Sequence, residues 1–295
     1  MRLGGAGTAY AAGWALVKSI PEPLSSRAFR LAADLAYRRR NAGVRRLAAN
    51  LRRVAPAADL DSLVRQAMRS YARYWLETFR LPVMDKAHVA ARVRVHDVET
   101  FDAAVDQGRG VVLALPHMGN YDVAGIWLVD HGHPFTTVAE RLKPVALFER
   151  FVAYRESLGM EVLAVGPGET PSLPTMRERL QAGRVICLVA DRDLGESGVG
   201  VEFFGERTRM PSGPAFLAAT TGAALVPVGL WFEGRDWGLR FHPPIDVHGP
   251  GRLRERVVRG TQVLADAFAE DIAAHPQDWH MLQPMWPAER VPAPA

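Results

Sequence analysis

Short aliphatic runs alternate with helical patterns from about residue 92 onward. Five runs predict strands: GVVLALP, PFTTVAE, MEVLAVG, RVICLVA and AALVPVGLWF. Segments with helical periodicity lie between or after them, among them NYDVAGIWLVDHG, LPTMRERLQAG and RLRERVVRGTQVLADAFAEDIAAHP. Because the strands are hydrophobic throughout, both of their faces are expected to be covered. The pattern therefore predicts the α/β class, with a central, largely parallel sheet flanked by helices on both faces.

A long aromatic-rich helix is predicted upstream of the strands. Asp61 is its candidate N-cap, followed by SLVRQAMRSYARYWLETFRL. Apolar residues recur along it at spacings of three or four: Val64, Met68, Tyr71, Trp75 and Phe79. This spacing is typical of a helix face that packs in a core.

Positive charge is concentrated at the beginning of the chain. Residues 1–55 hold eleven arginines and lysines against two acidic residues, whereas the whole chain of 295 residues has a net charge of +4. The first 55 residues are therefore at +9 and the rest of the chain at −5. A basic end on a mildly acidic body favours docking to an anionic surface, either a membrane or a nucleic acid.

Two apolar stripes of helical spacing fall within the same basic region. They consist of Tyr10, Trp14 and Val17, and of Leu47, Leu51 and Val54. The uncharged stretch at 3–17 is shorter than the roughly 20 residues that a spanning helix needs. We predict N-terminal amphipathic helices that lie on a membrane, with packed helices and a solvated charged face as the alternative. The chain is thus divided into a docking region at 1–55 and one continuous globular unit at 56–295.

Two polar clusters directly follow predicted strands. HMGNYD, residues 117–122, comes after GVVLALP, and DRD, residues 191–193, comes after RVICLVA. In an open parallel sheet, reactive groups gather in the crevice at the carboxyl ends of the strands. Both clusters are therefore expected to reach the same crevice.

His117 is the candidate general base. With Asn120 capping the next helix, Asp122 falls in the first turn, where its carboxylate could hold one imidazole nitrogen while the other faces the crevice. A base and an orienting acid without an adjoining serine or cysteine indicate direct transfer to a substrate hydroxyl. A turn whose polar side chains are hydrogen-bonded within the protein, without a catalytic role, explains the local pattern equally well. Asp191 could position either the imidazole or the acceptor hydroxyl.

Several other residues have two readings. Arg192 could bind a phosphate, but a salt-bridge network at the rim accounts equally well for Arg192 and Asp193. Phe203 and Phe204 are either core or part of a slot for a hydrocarbon chain, beside a helix broken by two threonines, Thr220 and Thr221.

The cysteine and histidine content argues against an internal disulfide and against a metal site at His117. Cys187, the single cysteine, cannot form an internal disulfide and is predicted to be a buried hydrophobic residue, which indicates a reducing cytoplasmic setting. Neither a His-x-x-x-His pair nor a cysteine pair accompanies His117, so no metal site is predicted.

Four blocks in a fixed order resemble one protein family. They are HMGNYD, AERLKPVALFERFVAYRESLGMEVL, CLVADRDLGESGVGVEFFGERTRMPSGPAFLA and HPQDWHMLQPMW. The blocks are similar to those of bacterial lipid acyltransferases with a His-x-x-x-x-Asp motif, in the branch of the lipid A late acyltransferases. Within that branch they resemble in particular the phosphatidylinositol mannoside acyltransferases of actinobacteria. The resemblance covers about residues 60 to 290.

The resemblance implies a function and a set of residues. It implies transfer of a fatty acyl group from acyl-CoA, without a cofactor, to a mannose hydroxyl of phosphatidylinositol mannoside, the 6-hydroxyl, at the cytoplasmic face of the membrane by a peripheral protein. Residues 56–295 would be the acyltransferase domain. His117 matches the catalytic base, Asp122 the orienting acid, and Asp191 a further acidic position that often carries glutamate. Candidate substrate-binding residues are Asn120, Glu140, Arg155, Arg192 and Ser197.

Three alternatives remain open. A lipid A-type enzyme would use acyl carrier protein as its donor. A nucleic-acid-binding protein would explain the basic N-terminus, but the arginines at 38–53 have almost no aromatic residues between them and no helix-turn-helix, zinc or RNA-recognition pattern is present. A membrane-tethering protein without activity predicts that His117 is dispensable. The oligomeric state is left undetermined.

Overall fold

The computed structural model describes residues 17–141, 145–166, 172–193 and 198–286. Its helices are α1 (Glu22–Arg39), α2 (Ala42–Val54), α3 (Leu60–Arg80), α4 (Lys86–Ala90), α5 (Val98–Asp106), α6 (Tyr121–Asp130), α7 (Val145–Ser157), α8 (Leu173–Gln181), α9 (Gly213–Thr221) and α10 (Leu253–Ala274). Its strands are β1 (Val93–His96), β2 (Val111–Leu115), β3 (Phe135–Glu140), β4 (Met160–Val165), β5 (Val185–Val189), β6 (Val199–Phe203), β7 (Glu206–Met210), β8 (Ala224–Glu233) and β9 (Asp236–Phe241). Short 3₁₀ turns follow α3 and α10.

The central sheet has seven strands in the order β1-β9-β8-β2-β5-β3-β4. Its pairs are parallel, apart from the antiparallel pair of β8 and β9. Alternate residues of β2 point into two apolar clusters, Val112 and Ala114 into one and Leu113 and Leu115 into the other. The sheet is thus buried on both faces, and the predicted fold class is confirmed. The five predicted strands are β2, β3, β4, β5 and β8.

Between β5 and α9 the chain forms an antiparallel hairpin of β6 and β7. Phe204 and Gly205 form its two-residue turn with φ values of 52° and 75°, as the twist of a tight hairpin requires. Phe203 is in the core, with 1% of its surface exposed. Thr220 and Thr221, predicted to break the following helix, are the last two residues of α9. Both donate hydroxyl hydrogen bonds to carbonyls one turn earlier, and Gly222 ends the helix in the left-handed conformation.

Helix α3 begins two residues earlier than predicted. Its cap is Asp59, whose carboxylate accepts hydrogen bonds from the backbone amides of Asp61 and Ser62. Asp61 instead lies in the first turn, where a negative charge is also favourable. The predicted apolar stripe is buried at its first two positions, Val64 and Met68. The three aromatic residues that continue it, Tyr71, Trp75 and Phe79, are half-buried and contact one another edge to face or tilted.

The two predicted membrane-docking stripes have different outcomes. Leu47, Leu51 and Val54 of α2 are buried inside the protein, so the prediction that this stripe faces a membrane is wrong and the packing alternative holds for it. Tyr10 and Trp14 lie outside the described residues. None of the helices in the described part of the chain combines the length and hydrophobicity that a membrane-spanning segment needs.

Candidate active site

The register of two neighbouring strands brings His117 and Asp191 together. Strands β2 and β5 are parallel, with Leu115 opposite Val189. The pairing continues one step further, because the amide of Ala190 donates to the carbonyl of Leu115 over 2.8 Å. His117 and Asp191 each follow their strand by two residues, so both reach the same edge of the sheet at the same level.

His117 and Asp191 form a closely coupled pair. The ring Nδ1 of His117 lies 2.6 Å from Oδ1 of Asp191, and the backbone amide of His117 donates to Oδ2 over 3.0 Å. Asp191 is fully buried, whereas 34% of the His117 side chain is exposed. The carboxylate therefore holds one imidazole nitrogen inside the protein and leaves Nε2 for a group in the crevice. This is the arrangement of a general base with its orienting acid.

The surroundings of Asp191 favour its ionised form. Burial by itself would raise the pKa of Asp191, but the adjacent His117 and the hydrogen bonds from His117 and Trp279 outweigh it, so the pKa lies below its usual range. An ionised carboxylate at this position stabilises the imidazolium that forms when the base takes up a proton.

The segment at 278–280 supports the turn that carries His117. The indole N–H of Trp279 donates to Oδ2 of Asp191 over 2.9 Å. The amide of His280 donates to the carbonyl of His117, and the amide of Gly119 donates to the carbonyl of Asp278. Gly119 has a φ of 56°, and a Cβ there would lie 2.8 Å from the backbone of β8, so the turn requires glycine.

Ser70 of α3 and the backbone of β8 hold the segment at 278–280 in place. Ser70 donates its hydroxyl to the carboxylate of Asp278 over 2.7 Å and lies 2.9 Å from Nε2 of His280. The amide of Phe232 donates to the other oxygen of Asp278. Burial, followed by the nearby His117, lowers the pKa of His280 to about 3. His280 is thus neutral, and it adds no second positive charge beside the base.

Asp122 contacts a different partner from the one predicted. Its Oδ1 accepts a hydrogen bond from Nε of Arg155 over 2.8 Å, and Thr78 lies 3.5 Å from its Oδ2. Both members of the pair are largely buried. Asp122 lies in the first turn of α6 as predicted, but the carboxylate that holds the imidazole is Asp191, since α6 directs Asp122 towards α7. This buried ion pair raises the pKa of Arg155 further above its usual range despite burial.

Asn120 is the predicted cap of α6. Its side-chain oxygen accepts from the amides of Asp122 and Val123. Its side-chain nitrogen donates to Glu77 over 2.7 Å, and the same carboxylate oxygen accepts from the indole of Trp237. The side chain is therefore engaged at both ends and anchors the start of α6 to α3.

Two other predicted site residues, Glu140 and Arg192, lie at the carboxyl ends of neighbouring strands of the sheet. Glu140 is exposed at the carboxyl end of β3, and Arg192 is half-buried next to Asp191. Asp193 accepts from the amide of Gly198 and pairs with Arg209 at 3.6 Å, which is the rim salt bridge foreseen as an alternative. Ser197 lies outside the described residues.

The contact between Trp279 and Asp191 could not be assigned from the sequence. Trp279 lies in the last of the four ordered blocks, but nothing in the sequence joins its indole to Asp191. Cys187, in β5, is half-buried, and burial raises the pKa of its thiol. A thiol in that state is a poor nucleophile.

The comparisons with known proteins agree on one family. A family model described as bacterial lipid A biosynthesis acyltransferase matches residues 4–287. The phosphatidylinositol mannoside acyltransferase of Mycolicibacterium smegmatis is 53% identical over 283 residues, which cover 95% of this chain and 91% of that protein. That of Mycobacterium tuberculosis is 51% identical over 286 residues, covering 95% and 88%. A lipid A biosynthesis acyltransferase of Haemophilus influenzae is 25% identical over 170 residues, covering 57% and 52%. The chain belongs to the bacterial lipid A biosynthesis acyltransferase family.

Proposed function

We propose that the protein transfers a fatty acyl group from acyl-CoA to a mannose hydroxyl, the 6-hydroxyl, of phosphatidylinositol mannoside at the cytoplasmic face of the membrane. The observation that carries this proposal is the His117–Asp191 pair at the carboxyl edge of the sheet, in a chain that belongs to an acyltransferase family. No cofactor is required, because acyl-CoA is a co-substrate.

The proposed reaction is a direct transfer. Nε2 of His117 takes the proton of the sugar hydroxyl as its oxygen attacks the thioester carbonyl. The new C–O bond gives a tetrahedral oxyanion, and its collapse breaks the C–S bond. The imidazolium then returns the proton to the departing thiolate. Asp191 keeps the ring oriented and stabilises its charged form throughout.

The oxyanion needs donors from outside the His117 turn. The amides of His117, Met118 and Gly119 already donate to Asp191, Pro116 and Asp278. Three consecutive amides at the turn are therefore engaged within the protein. Arg192, next to Asp191 and half-buried, is the residue we propose to face the developing negative charge, because a guanidinium is a strong donor to an oxyanion.

Sequence similarity supports phosphatidylinositol mannoside as the acceptor. The two mycobacterial relatives named phosphatidylinositol mannoside acyltransferases match this chain over nearly its full length at 51–53% identity, whereas the lipid A enzyme matches about half of it at 25%. The alternative is a lipid A-type reaction with acyl carrier protein as donor. The His117–Asp191 pair argues against a protein that only tethers a membrane or binds nucleic acid, because neither role requires a base with an orienting acid.

Helix α1 supports the placement on a membrane. Leu24, Leu31 and Leu35 lie seven and four residues apart, so they share one face of the helix, and they are 54%, 70% and 49% exposed. Arg27 and Arg38 are exposed beside them. An exposed apolar stripe with flanking arginines is suited to an anionic lipid surface. We propose that α1 is the docking helix.

The reaction can be tested with purified protein by measuring thiol release from acyl-CoA. We expect turnover with phosphatidylinositol mannoside and none with a lipid A precursor, and acyl-CoA is expected to serve better than acyl carrier protein. His117→Ala should lose at least about 10²-fold in kcat, the usual contribution of a general base, with unchanged circular dichroism and vesicle binding. His88→Ala, at an exposed histidine on α4, is the matched control. Turnover with the lipid A precursor alone would contradict the acceptor, and near wild-type transfer by His117→Ala would contradict the mechanism.

A further inference from the structure

Three potential metal ligands come together away from the active site. They are Asp102 of α5 and His131 and His133, which lie between α6 and β3. One ligand atom of each lies within 4.8 Å of the other two. Nε2 of His131 is already 2.9 Å from Oδ1 of Asp102. A surface ion pair would explain these two residues, but it does not require a second imidazole beside them.

The turn that carries the two histidines is fixed by its own hydrogen bonds. The amide of His133 donates to the carbonyl of Leu128, and the amide of Gly132 donates to the carbonyl of Val129. Gly132 has a φ of 93°, which is the left-handed conformation that closes a helix end. The two histidines flanking this glycine therefore have defined backbone positions before any ligand binds.

Aromatic neighbours hold the two imidazole rings. His131 is stacked on Trp127 with ring centroids 4.6 Å apart, and His133 meets Phe101 edge to face at 5.1 Å. The centroids of the two imidazoles are 5.6 Å apart. Ring contacts of this kind reduce the conformational entropy that ordering a ligand would cost. The site is also reachable from solvent, because Asp102 and His131 are both partly exposed.

We propose that Asp102, His131 and His133 bind a transition-metal dication, with Zn²⁺ as the cation that fits best. Two imidazoles and one carboxylate suit Zn²⁺, whereas Mg²⁺ and Ca²⁺ take oxygen ligands. Ligand atoms about 2.1 Å from a tetrahedral Zn²⁺ lie about 3.4 Å apart, so small side-chain rotations bring the three ligands into place. A fourth position would remain for water.

The metal site is separate from the proposed reaction. His117 precedes the first residue of α6 and His131 follows the last, and the ten residues of this helix rise about 15 Å. Bound Zn²⁺ would join α5 to the turn that begins β3. We therefore expect it to stabilise the fold without supplying a group to the acyl transfer.

The test is a titration of the full chain, free of any affinity tag, with Zn²⁺ alone. Calorimetry should give one equivalent of binding, and Co²⁺ should give the visible absorption of a four-coordinate site. His133→Gln and Asp102→Asn should each weaken Zn²⁺ binding by more than about tenfold, since even an indirect partner of a ligand has that effect. Mg²⁺ in excess should not compete.

Two exposed histidines elsewhere provide matched controls. His88→Ala and His248→Ala remove imidazoles from other parts of the surface, and both should keep wild-type affinity for Zn²⁺. Circular dichroism and melting temperature without metal show whether each variant is folded. If a variant does not fold, the Co²⁺ spectrum of the wild type still reports the ligands. Absence of saturable binding, or wild-type affinity in both ligand variants, would overturn the proposal and leave an ordinary surface ion pair.

Discussion

Trp279 donates its indole N–H to the carboxylate of Asp191 over 2.9 Å, although 88 residues separate them along the chain. The same carboxylate oxygen accepts the backbone amide of His117, and the other oxygen contacts the ring. Asp191 thus receives three hydrogen bonds that fix both of its oxygens. The orientation of the His117 imidazole thus depends, through Asp191, on a residue far away in the sequence.

Replacing Trp279 should therefore affect catalysis more than binding. Trp279→Phe keeps an aromatic side chain but removes the N–H donor, and a hydrogen bond to a charged group is worth about 1.5–3 kcal/mol. We expect kcat to fall by roughly tenfold or more, with little change in KM. Steady-state kinetics would measure both.

The matched control for this variant is Trp286→Phe. Trp286 is also fully buried, and its indole nitrogen has no hydrogen-bond partner among the residues that the structure describes. It should lose packing without losing a positioning contact, so kcat should stay close to that of the wild type. Equal losses of kcat in the two variants would mean that Trp279 acts through packing alone.

The two acidic residues near His117 should respond differently to neutralisation. Asp191→Asn removes the charge that orients and stabilises the imidazole, and kcat should fall by about 10²–10⁴-fold. Asp191→Glu restores the charge and should retain part of the activity. Asp122→Asn instead leaves the Arg155 guanidinium buried without its partner, which should lower the free energy of unfolding by about 3–5 kcal/mol.

A double variant separates these roles. Asp122→Asn combined with Arg155→Met removes both buried charges, and it should recover much of the stability lost in the single variant. Thermal unfolding and kcat should be measured on the same samples. A loss of kcat in folded Asp122→Asn as large as that in Asp191→Asn would show that Asp122 also takes part in the reaction.

His280 should make stability depend on pH. Its pKa is about 3 in the folded protein against an ordinary value of 6.5, so the unfolded chain binds more protons between these values. The stability contribution of neutral His280 is therefore complete above pH 6.5 and declines as the pH falls towards 3, by up to about 1.4 kcal/mol per pH unit. Denaturant unfolding from pH 7 to pH 4.5 would measure it.

His280→Gln provides the comparison. Glutamine can still donate to Ser70, which lies 2.9 Å from Nε2 of the histidine, but it does not titrate. The variant should lose stability less steeply than the wild type on acidification. Parallel curves for the two proteins would contradict the burial of a neutral imidazole here.

The apolar stripe of α1 should govern attachment to lipid. Leu31→Asp places a charge at the most exposed leucine of the stripe, and it should weaken binding to anionic vesicles by roughly tenfold or more, since burying one leucine is worth about 1.5–3 kcal/mol. Flotation with phosphatidylinositol-containing vesicles at two salt concentrations would measure this. Val263→Asp, at an exposed apolar position on α10, should bind as the wild type does; equal weakening by both would exclude α1 as the docking surface.

The strands of the sheet and the polar residues that follow them could be predicted from the local sequence pattern. Five short, mainly apolar runs predicted strands with both faces covered, and His117 and Asp191 each follow such a run at the same distance. That both residues reach the same edge of a parallel sheet was predictable from that placement, but not that they touch.

Which side chains touch depends on the tertiary fold. Asp122 is five residues from His117 yet bonds to Arg155, because α6 turns it away, whereas Asp191 reaches the imidazole because β5 lies beside β2. Strand order results from long-range pairing, which local periodicity does not contain. The same reason applies to the apolar stripes of α1 and α2, which have similar patterns. Helix α3 and the segment at 281–283 cover the stripe of α2, whereas the stripe of α1 is exposed. The local pattern does not contain this difference.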